Sequence, residues 1–266
     1  MNNDHWEIYA IRYSRLPRKR RENMIFCPPE RQDEDMPIDY SFWVLRNGLE
    51  TWIVDTGYSP ELAAHLGRTF ICNPIETLRE IGVAPEDVKN VILTHLHYDH
   101  AGNLDQFANA RFVLHSAELP FAAGWYAKEP AFAFAYNKAH IMQAVELVYD
   151  RRVDFVDGDR VMAPGLELFH IPGHSPGHLS LRVHTARGKV LLAVDAAHFT
   201  DNLVERRPYP IYLDLHQTLS GYDRLRTLCP ETDLLIGGHD SSVIERYPAV
   251  PGFEGRVARL DLQPRR

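Results

Sequence analysis

The chain has 266 residues, 45% hydrophobic and 24% charged, with a formal net charge of −7. That describes a globular protein of one large or two small domains. Its acidic balance argues against broad nucleic-acid binding. No apolar run is long enough for a transmembrane helix. Met1–Trp6 has no basic-then-apolar leader pattern, so the expected location is the cytoplasm. Cys27, Cys72 and Cys229 are odd in number and far apart, which disfavours a disulfide framework or a thiolate zinc knuckle. Histidine is abundant, at 14 residues. A metal site, if one exists, has to be made of imidazole and carboxylate.

In chain order, Glu7–Tyr13 reads as an opening strand, and residues 14–39, rich in Pro, Arg and acids, read as a long loop. Within that loop, Arg18-Lys19-Arg20-Arg21 reads as a solvated basic run, with an anion or partner contact as the alternative. Phe42–Leu45 and Thr51–Val54, split by Asn47-Gly48, form an expected hairpin. Asn73-Pro74-Ile75-Glu76 is a helix start, with Asn as N-cap and Pro at the first helical position. Ile75, Leu78 and Ile81 supply its apolar face, and Gly82 suits its end. Further strands are expected at Val91–Thr94, Phe112–His115, Leu166–Ile171, Val190–Val194 and Leu234–Ile236, with helices over about 136–148 and 214–228. Strands and helices interspersed along the whole length predict an α/β sandwich.

Five of the apolar runs lead into a chemically active residue: Asp55, His95, His174, Asp195 and His239. Sites in open α/β sheets gather at the carboxyl ends of strands, so these residues are expected to converge on one cleft. The densest signal is His95-Leu96-His97-Tyr98-Asp99-His100. Residues two apart on an extended segment face the same way, so His95 and His97 can share one ion, while Asp99 and His100, after a turn, can face a second. Neutral imidazoles suit borderline cations such as zinc, and a carboxylate can bridge two of them.

His95-x-His97-x-Asp99-His100 followed by His174, Asp195 and His239, with Asp55-Thr56-Gly57 upstream, resembles the metallo-β-lactamase superfamily over about residues 40–240. The resemblance implies a four-layer αββα sandwich with two mixed sheets and outer helices. It also implies two divalent ions, zinc foremost, with Fe, Mn and Co open. His95, His97 and His174 would hold the first ion, and Asp99, His100 and His239 the second. Asp195 would bridge them, and Asp55 would orient a ligand imidazole from behind.

Among the branches, β-lactamases usually carry Cys at the place of Asp195, and the glyoxalase II-like thioesterases usually follow that Asp with Thr-Leu-Phe, where this chain has Ala196-Ala197-His198. The tRNA-processing nucleases need a basic arm, and the flavin-linked di-iron branch replaces the second His. The chain instead resembles the N-acyl-homoserine lactonases and related hydrolases through Val54–Gly57, His95–Asn103 and Pro172–His178. One departure stands out. That family has Tyr three residues after the bridging Asp, and this chain has His198.

The implied activity is opening of a lactone, such as an N-acyl-homoserine lactone, by a metal-bridging hydroxide. Asp99 would carry the proton and His198 would touch the carbonyl oxygen. The alternatives are an esterase or thioesterase of the glyoxalase II type, or an iron redox enzyme on the same fold. The expected partner is a small lactone or ester, with no nucleic acid or membrane, and a homodimer left open. Residues 1–266 are expected to form one domain with a substrate-covering insert over about 116–150.

Of the other histidines, His178, His115 and His170 read as structural, and Asp240 as a turn residue or as support for a ligand. The aromatics Phe121, Trp125, Tyr126, Phe132, Phe134 and Tyr136 read as a core or dimer helix, or alternatively as an apolar wall over the metals. Pro208–Tyr212 is a candidate rim loop.

Overall fold

The computed structural model describes residues 5–265; Met1–Asp4, part of the segment read for a leader, and Arg266 lie outside the described residues. One sheet contains β1 (Glu7–Leu16), β2 (Ile38–Arg46), β3 (Thr51–Val54), the short β4 (Thr69–Phe70), β5 (Asn90–Ile92), β6 (Arg111–His115) and β7 (Val153–Val156). The other contains β8 (Arg160–Ala163), β9 (Leu166–His170), β10 (Leu179–Thr185), β11 (Gly188–Val194) and β12 (Leu235–Gly237). A last strand, β13 (Val257–Arg259), pairs with β1 at the edge of the first sheet. The orders are β13-β1-β2-β3-β5-β6-β7, with β4 also on β1, and β12-β11-β10-β9-β8. Both sheets are mixed: β3, β5, β6 and β7 pair in parallel, as do β11 and β12, and the remaining pairs are antiparallel.

Side-chain alternation on the long strands creates the four layers. Ile8 and Ala10 of β1, Trp43 and Leu45 of β2, and Val190, Leu192 and Val194 of β11 all belong to one cluster between the sheets. Their neighbours face outward. Ile11, Phe42 and Val44 belong to a second cluster that also takes in Leu78 and, from the helix Lys138–Tyr149, Ile141, Ala144 and Leu147. Leu191 and Ala193 meet Tyr222 and Leu225 of the helix Leu215–Leu228. Strands buried on both faces read as unbroken apolar runs, which is why they were legible. The architecture is the expected αββα sandwich.

The expected helix start at Asn73 is present: its Oδ1 accepts the Ile75 N–H at 2.9 Å, and Gly82 follows the helix Pro74–Glu80 at φ +79°. Segment 14–39 is more ordered than a loop. It contains the end of β1, a short helix Arg20–Asn23, a turn at Pro29–Arg31 and the start of β2. Its basic run is solvated only in part: Arg21 is exposed, whereas Arg20 is 4% exposed and pairs with Asp201 and Glu205 at 2.7 and 2.5 Å. The segment 116–150 carries the helices Glu118–Ala122, Pro130–Ala133 and Lys138–Tyr149.

Candidate metal centre

β3 and β5 run parallel in the first sheet, and β9, β11 and β12 share one direction in the second. Their carboxyl ends therefore open onto the same edge of the sandwich. There the Leu179 N–H donates to the Thr94 carbonyl at 3.0 Å and ties the two sheets together. The segments that follow these strand ends bring Asp55, His95, His97, Asp99, His100, His174, Asp195 and His239 together, all buried.

Three overlapping donor groups result. His95, His97, His174 and Asp195 form one, Asp99, His100 and His239 a second, and Asp195, His198 and His239 a third, with one ligand-type atom from each residue within 4.8 Å of the rest of its group. Asp195 stands between the first two. Its Oδ2 lies 3.2 Å from His174 Nε2 and 3.8 Å from His95 Nε2, while its Oδ1 lies 3.1 Å from His239 Nε2 and 3.4 Å from His100 Nε2. His95 Nε2, His100 Nε2 and Asp195 Oδ1 are buried without a hydrogen-bond partner. His97 Nδ1 and His174 Nε2 converge at 2.9 Å. Stranded lone pairs of this kind are costly inside a protein, and a cation relieves them. The donors present fit divalent metal.

Hydrogen bonds behind the rings select the tautomers. His100 Nδ1 lies 2.7 Å from Asp55 Oδ2, His174 Nδ1 2.9 Å from the Ile211 carbonyl, and His239 Nδ1 2.8 Å from the Asp39 carbonyl. Each acceptor keeps the proton on Nδ1 and leaves Nε2 bare towards the centre. Asp55 reaches a second ring through a relay: its Oδ2 accepts the Thr94 hydroxyl at 2.9 Å, whose oxygen faces His95 Nδ1 at 3.1 Å. One carboxylate thus orients a histidine of each set. Burial, reinforced by neighbouring imidazoles, pushes His95 and His97 well below their ordinary pKa, so both are neutral. Burial raises Asp195, but the imidazoles of His239, His198, His100 and His174 outweigh it and hold it well below the carboxylate range. Asp99 is likewise lowered, burial being outweighed by His100 and His239.

The backbone is pinned at the same places. Gly57 adopts φ +67°, and a Cβ on Gly102 would lie 2.4 Å from the Gly57 carbonyl oxygen, so Asp55-Thr56-Gly57 and the segment after His100 can approach only as glycines. Val194 takes φ +50°, an outlier for a β-branched residue. Its carbonyl accepts the Gly238 N–H at 3.1 Å, and the next N–H, of Asp195, donates to His178 Nε2 at 3.0 Å. His178 is therefore a support for Asp195. Asp240 accepts from Ser242 N and Oγ and from Thr200 N, a loop-bracing role. His115 and His170 stack on each other at 3.9 Å, outside the donor sets.

His198 also reaches the centre, its Nε2 3.2 Å from Asp195 Oδ2. Its ring stacks on Tyr209 at 4.0 Å and on His239 at 5.0 Å. Burial lowers its pKa to about 4, leaving a neutral ring.

Sequence reasoning missed Glu118 and Asp39. Glu118 is 0% exposed. Its Oε1 accepts the Ser175 hydroxyl at 2.5 Å and the Gly177 N–H at 2.7 Å, and its Oε2 accepts the Leu96 N–H at 3.1 Å. It clamps the loop of His95 and His97 to the loop of His174. Asp39 offers its carbonyl to His239 and its carboxylate to Arg12 and Arg15. Neither lies in a motif; only an acidic residue opening a short helix after β6 hinted at the first.

Over the centre lies a cavity of about 290 Å³ lined by His97, Asp99, His174, Asp195, His198 and His239 together with Arg18, Arg68, Tyr40, Tyr98 and Tyr209. The aromatic segment divides. Tyr136 sits 4.8 Å from the His97 ring, and Phe121, Tyr126 and Phe132 pack around a separate apolar cavity of about 360 Å³. Trp125 and Phe134 are 61% and 59% exposed, so a buried core stripe is ruled out for them. Ile211 and Tyr212 line a smaller cleft beside His97 and His174.

Two mixed sheets carrying a double His/Asp donor set at their carboxyl edge define a metal-dependent enzyme fold of the metallo-β-lactamase kind. The profile of the metallo-beta-lactamase superfamily matches residues 37–239, and the chain belongs to that superfamily. It is 33% identical over 168 residues to an N-acyl homoserine lactonase of Bacillus cereus, covering 62% of this chain and 61% of that protein. The chain thus spans about three fifths of the length of the Bacillus relatives it matches. An N-acyl homoserine lactonase of Agrobacterium fabrum is 31% identical over 231 residues, 77% of this chain and 80% of the relative. A crystal structure of a quorum-quenching N-acyl homoserine lactone lactonase superposes with a TM-score of 0.73 at 25% identity, over 88% of this chain and 92% of that one. No helix among the described residues is long and apolar enough to cross a membrane.

Proposed function

We propose that the chain is a dinuclear metal-dependent hydrolase that opens lactones, the reaction named for its relatives. The observation that carries this reading is the shared carboxylate: Asp195 has Oδ2 towards His174 and His95, Oδ1 towards His100, and His239 Nε2 at 3.1 and 3.3 Å from Oδ1 and Oδ2. When bound, two divalent ions, zinc first among them, supply a hydroxide nucleophile at neutral pH and polarise the carbonyl. His95, His97 and His174 would hold one ion, Asp99, His100 and His239 the other, and Asp195 would be shared. Asp55 keeps His95 and His100 in the ligating tautomer. Asp99, ionised and beside His239 Nε2 at 3.6 Å, accepts the nucleophile's proton and returns it to the leaving alkoxide. His198, neutral, orients the carbonyl by donating a hydrogen bond where the lactonases have a phenol. Tyr136 and Phe134 close the apolar side over His97 and keep water from the reacting bond.

Elemental analysis combined with a screen of lactones, esters and thioesters tests this. The expected result is about two divalent ions per chain, lactone hydrolysis abolished by exhaustive chelation, and recovery on adding zinc. Asp195→Asn is expected to lose both metal and activity by at least about 100-fold, as removal of a ligand shared by two ions should. Full activity in that variant or in the chelated protein sinks the proposal. Iron with oxygen consumption and no hydrolysis replaces it with the redox reading, and thioester preference with the glyoxalase II type.

A further inference from the structure

The cavity over the donor sets contains two arginines that the metal chemistry does not use, in a chain whose overall charge is −7. Arg18 heads the basic run, whose other members pair locally: Lys19 with Asp35, Arg20 with Asp201 and Glu205, and Arg21 with Asp33. Among the described residues, the Arg18 guanidinium pairs only with the exposed Glu22, at 3.4 Å.

Arg68 is the more telling of the two. It forms no ion pair among the described residues; its Nε is buried without a hydrogen-bond partner, and its Nη2 meets only the Tyr98 hydroxyl, at 3.5 Å. Other half-buried arginines without a carboxylate direct their N–H groups at backbone carbonyls: Arg46 at Ile81, Arg152 at Ala110 and Phe107, and Arg187 at Leu260. Arg68 instead stands over the Tyr40 ring, its Cζ 6.0 Å from the centroid, and Tyr40 also meets His239 edge-on, their ring centroids 5.3 Å apart. A guanidinium at the cavity wall, over a ring that also touches His239 and with a donor left unpaired, is a recognition element awaiting an acceptor.

We infer that Arg68, with Arg18 in the same cavity, binds a carboxylate carried by the substrate apart from its scissile ester, so that the enzyme selects anionic lactones or esters. This rests on the hydrolase reading above. The planar fork matches a carboxylate with two parallel hydrogen bonds, a geometry a neutral amide does not reproduce. The modest volume, about 290 Å³, suits a compact acid. A long acyl chain finds its apolar surface elsewhere, around Phe121 and Tyr126.

The test compares γ-butyrolactone bearing a ring carboxylate with the corresponding carboxamide, using metal-loaded wild type, Arg68→Met and Arg68→Lys. Wild type is expected to favour the carboxylate by at least about 10-fold in kcat/KM, the range of a charge-assisted pair. Arg68→Met is expected to lower that preference about 10- to 100-fold, and Arg68→Lys, which keeps charge without the fork, to retain part of it. Calorimetric titration with glutarate supplies a readout without turnover, and Arg68→Met is expected to weaken it about 10-fold or more.

An unchanged carboxylate-to-carboxamide ratio in both variants overturns the inference. So does a change confined to inhibition by the ring-opened product, because Arg68 would then meet only the carboxylate that hydrolysis creates. Hydrolysis of neutral lactones without carboxylate preference also defeats it while leaving the hydrolase reading intact. Arg68-dependent glutarate binding with no hydrolysis of any ester defeats the hydrolase reading and keeps the anion site.

Discussion

Replacing Glu118 by Gln tests whether the two metal-binding loops are held by one buried carboxylate. Every group around Glu118 is a donor: Ser175 Oγ and Gly177 N on one oxygen, Leu96 N on the other. Burial pushes its pKa up, while these three hydrogen bonds draw it back towards the charged form. Gln keeps the shape and one acceptor but turns the second oxygen into an NH2 group. If the amide oxygen stays with Ser175 and Gly177, the NH2 faces the Leu96 N–H, donor against donor, and a buried N–H is stranded at about 1–3 kcal/mol. In a domain of this size that lowers Tm by about 2–4 °C per kcal/mol. Leu96 lies between His95 and His97, so the same change should weaken metal binding by about 10- to 100-fold, as loss of a ligand's support usually does. Thermal unfolding by circular dichroism, with and without metal, and competition against a chelator read the two effects. A variant that melts within about 1 °C of wild type and holds metal equally well refutes the clamp, because a protonated Glu118 would already resemble Gln.

Asp55→Asn removes the acceptor shared by His100 and the Thr94–His95 relay; chelator competition is expected to show metal affinity down about 10- to 100-fold, and an unchanged affinity would dismiss its orienting role. His198→Phe preserves the stack on Tyr209 but deletes the donor, so lactone kcat is expected to fall about 100-fold with metal content unchanged. Loss of an ion instead would make His198 a ligand. Trp43, 1% exposed between the sheets, anchors the core, and Trp43→Ala is expected to cost about 3–5 kcal/mol in urea unfolding; a cost under about 1 kcal/mol would contradict the layering.

Strand and helix placement was legible where local chemistry was strong. The helices expected over about 136–148 and 214–228 occupy Lys138–Tyr149 and Leu215–Leu228, and the hairpin at Phe42–Val54 pairs Trp43 with Val54. β10 went unread although Leu179, Leu181 and Val183 alternate with polar residues, a period-two signal overshadowed by the motif before it. β7, β8 and β13, only three or four residues each, carry too little pattern to be found.

The sequence alone determined an α/β sandwich and drew the site residues from strand ends, because a strand leading into His or Asp carries both fold and chemistry in adjacent positions. The αββα layering and the division of the ligands were what the family resemblance implied. His95 to His100 sit on one short stretch, so their mutual placement is a local matter. What surrounds them was decided by tertiary structure. Glu118 reaches Ser175 and Gly177, 57 and 59 residues away, and His239 finds the Asp39 carbonyl across 200 residues. Arg68 and Arg18 look like ordinary surface cations until folding sets them in one cavity beside Asp99 and Asp195. Contacts between lone residues far apart in the chain leave no period or spacing to read. The negative total charge, which in the sequence spoke only against nucleic acid, conceals a cationic wall at the place where substrate is proposed to bind.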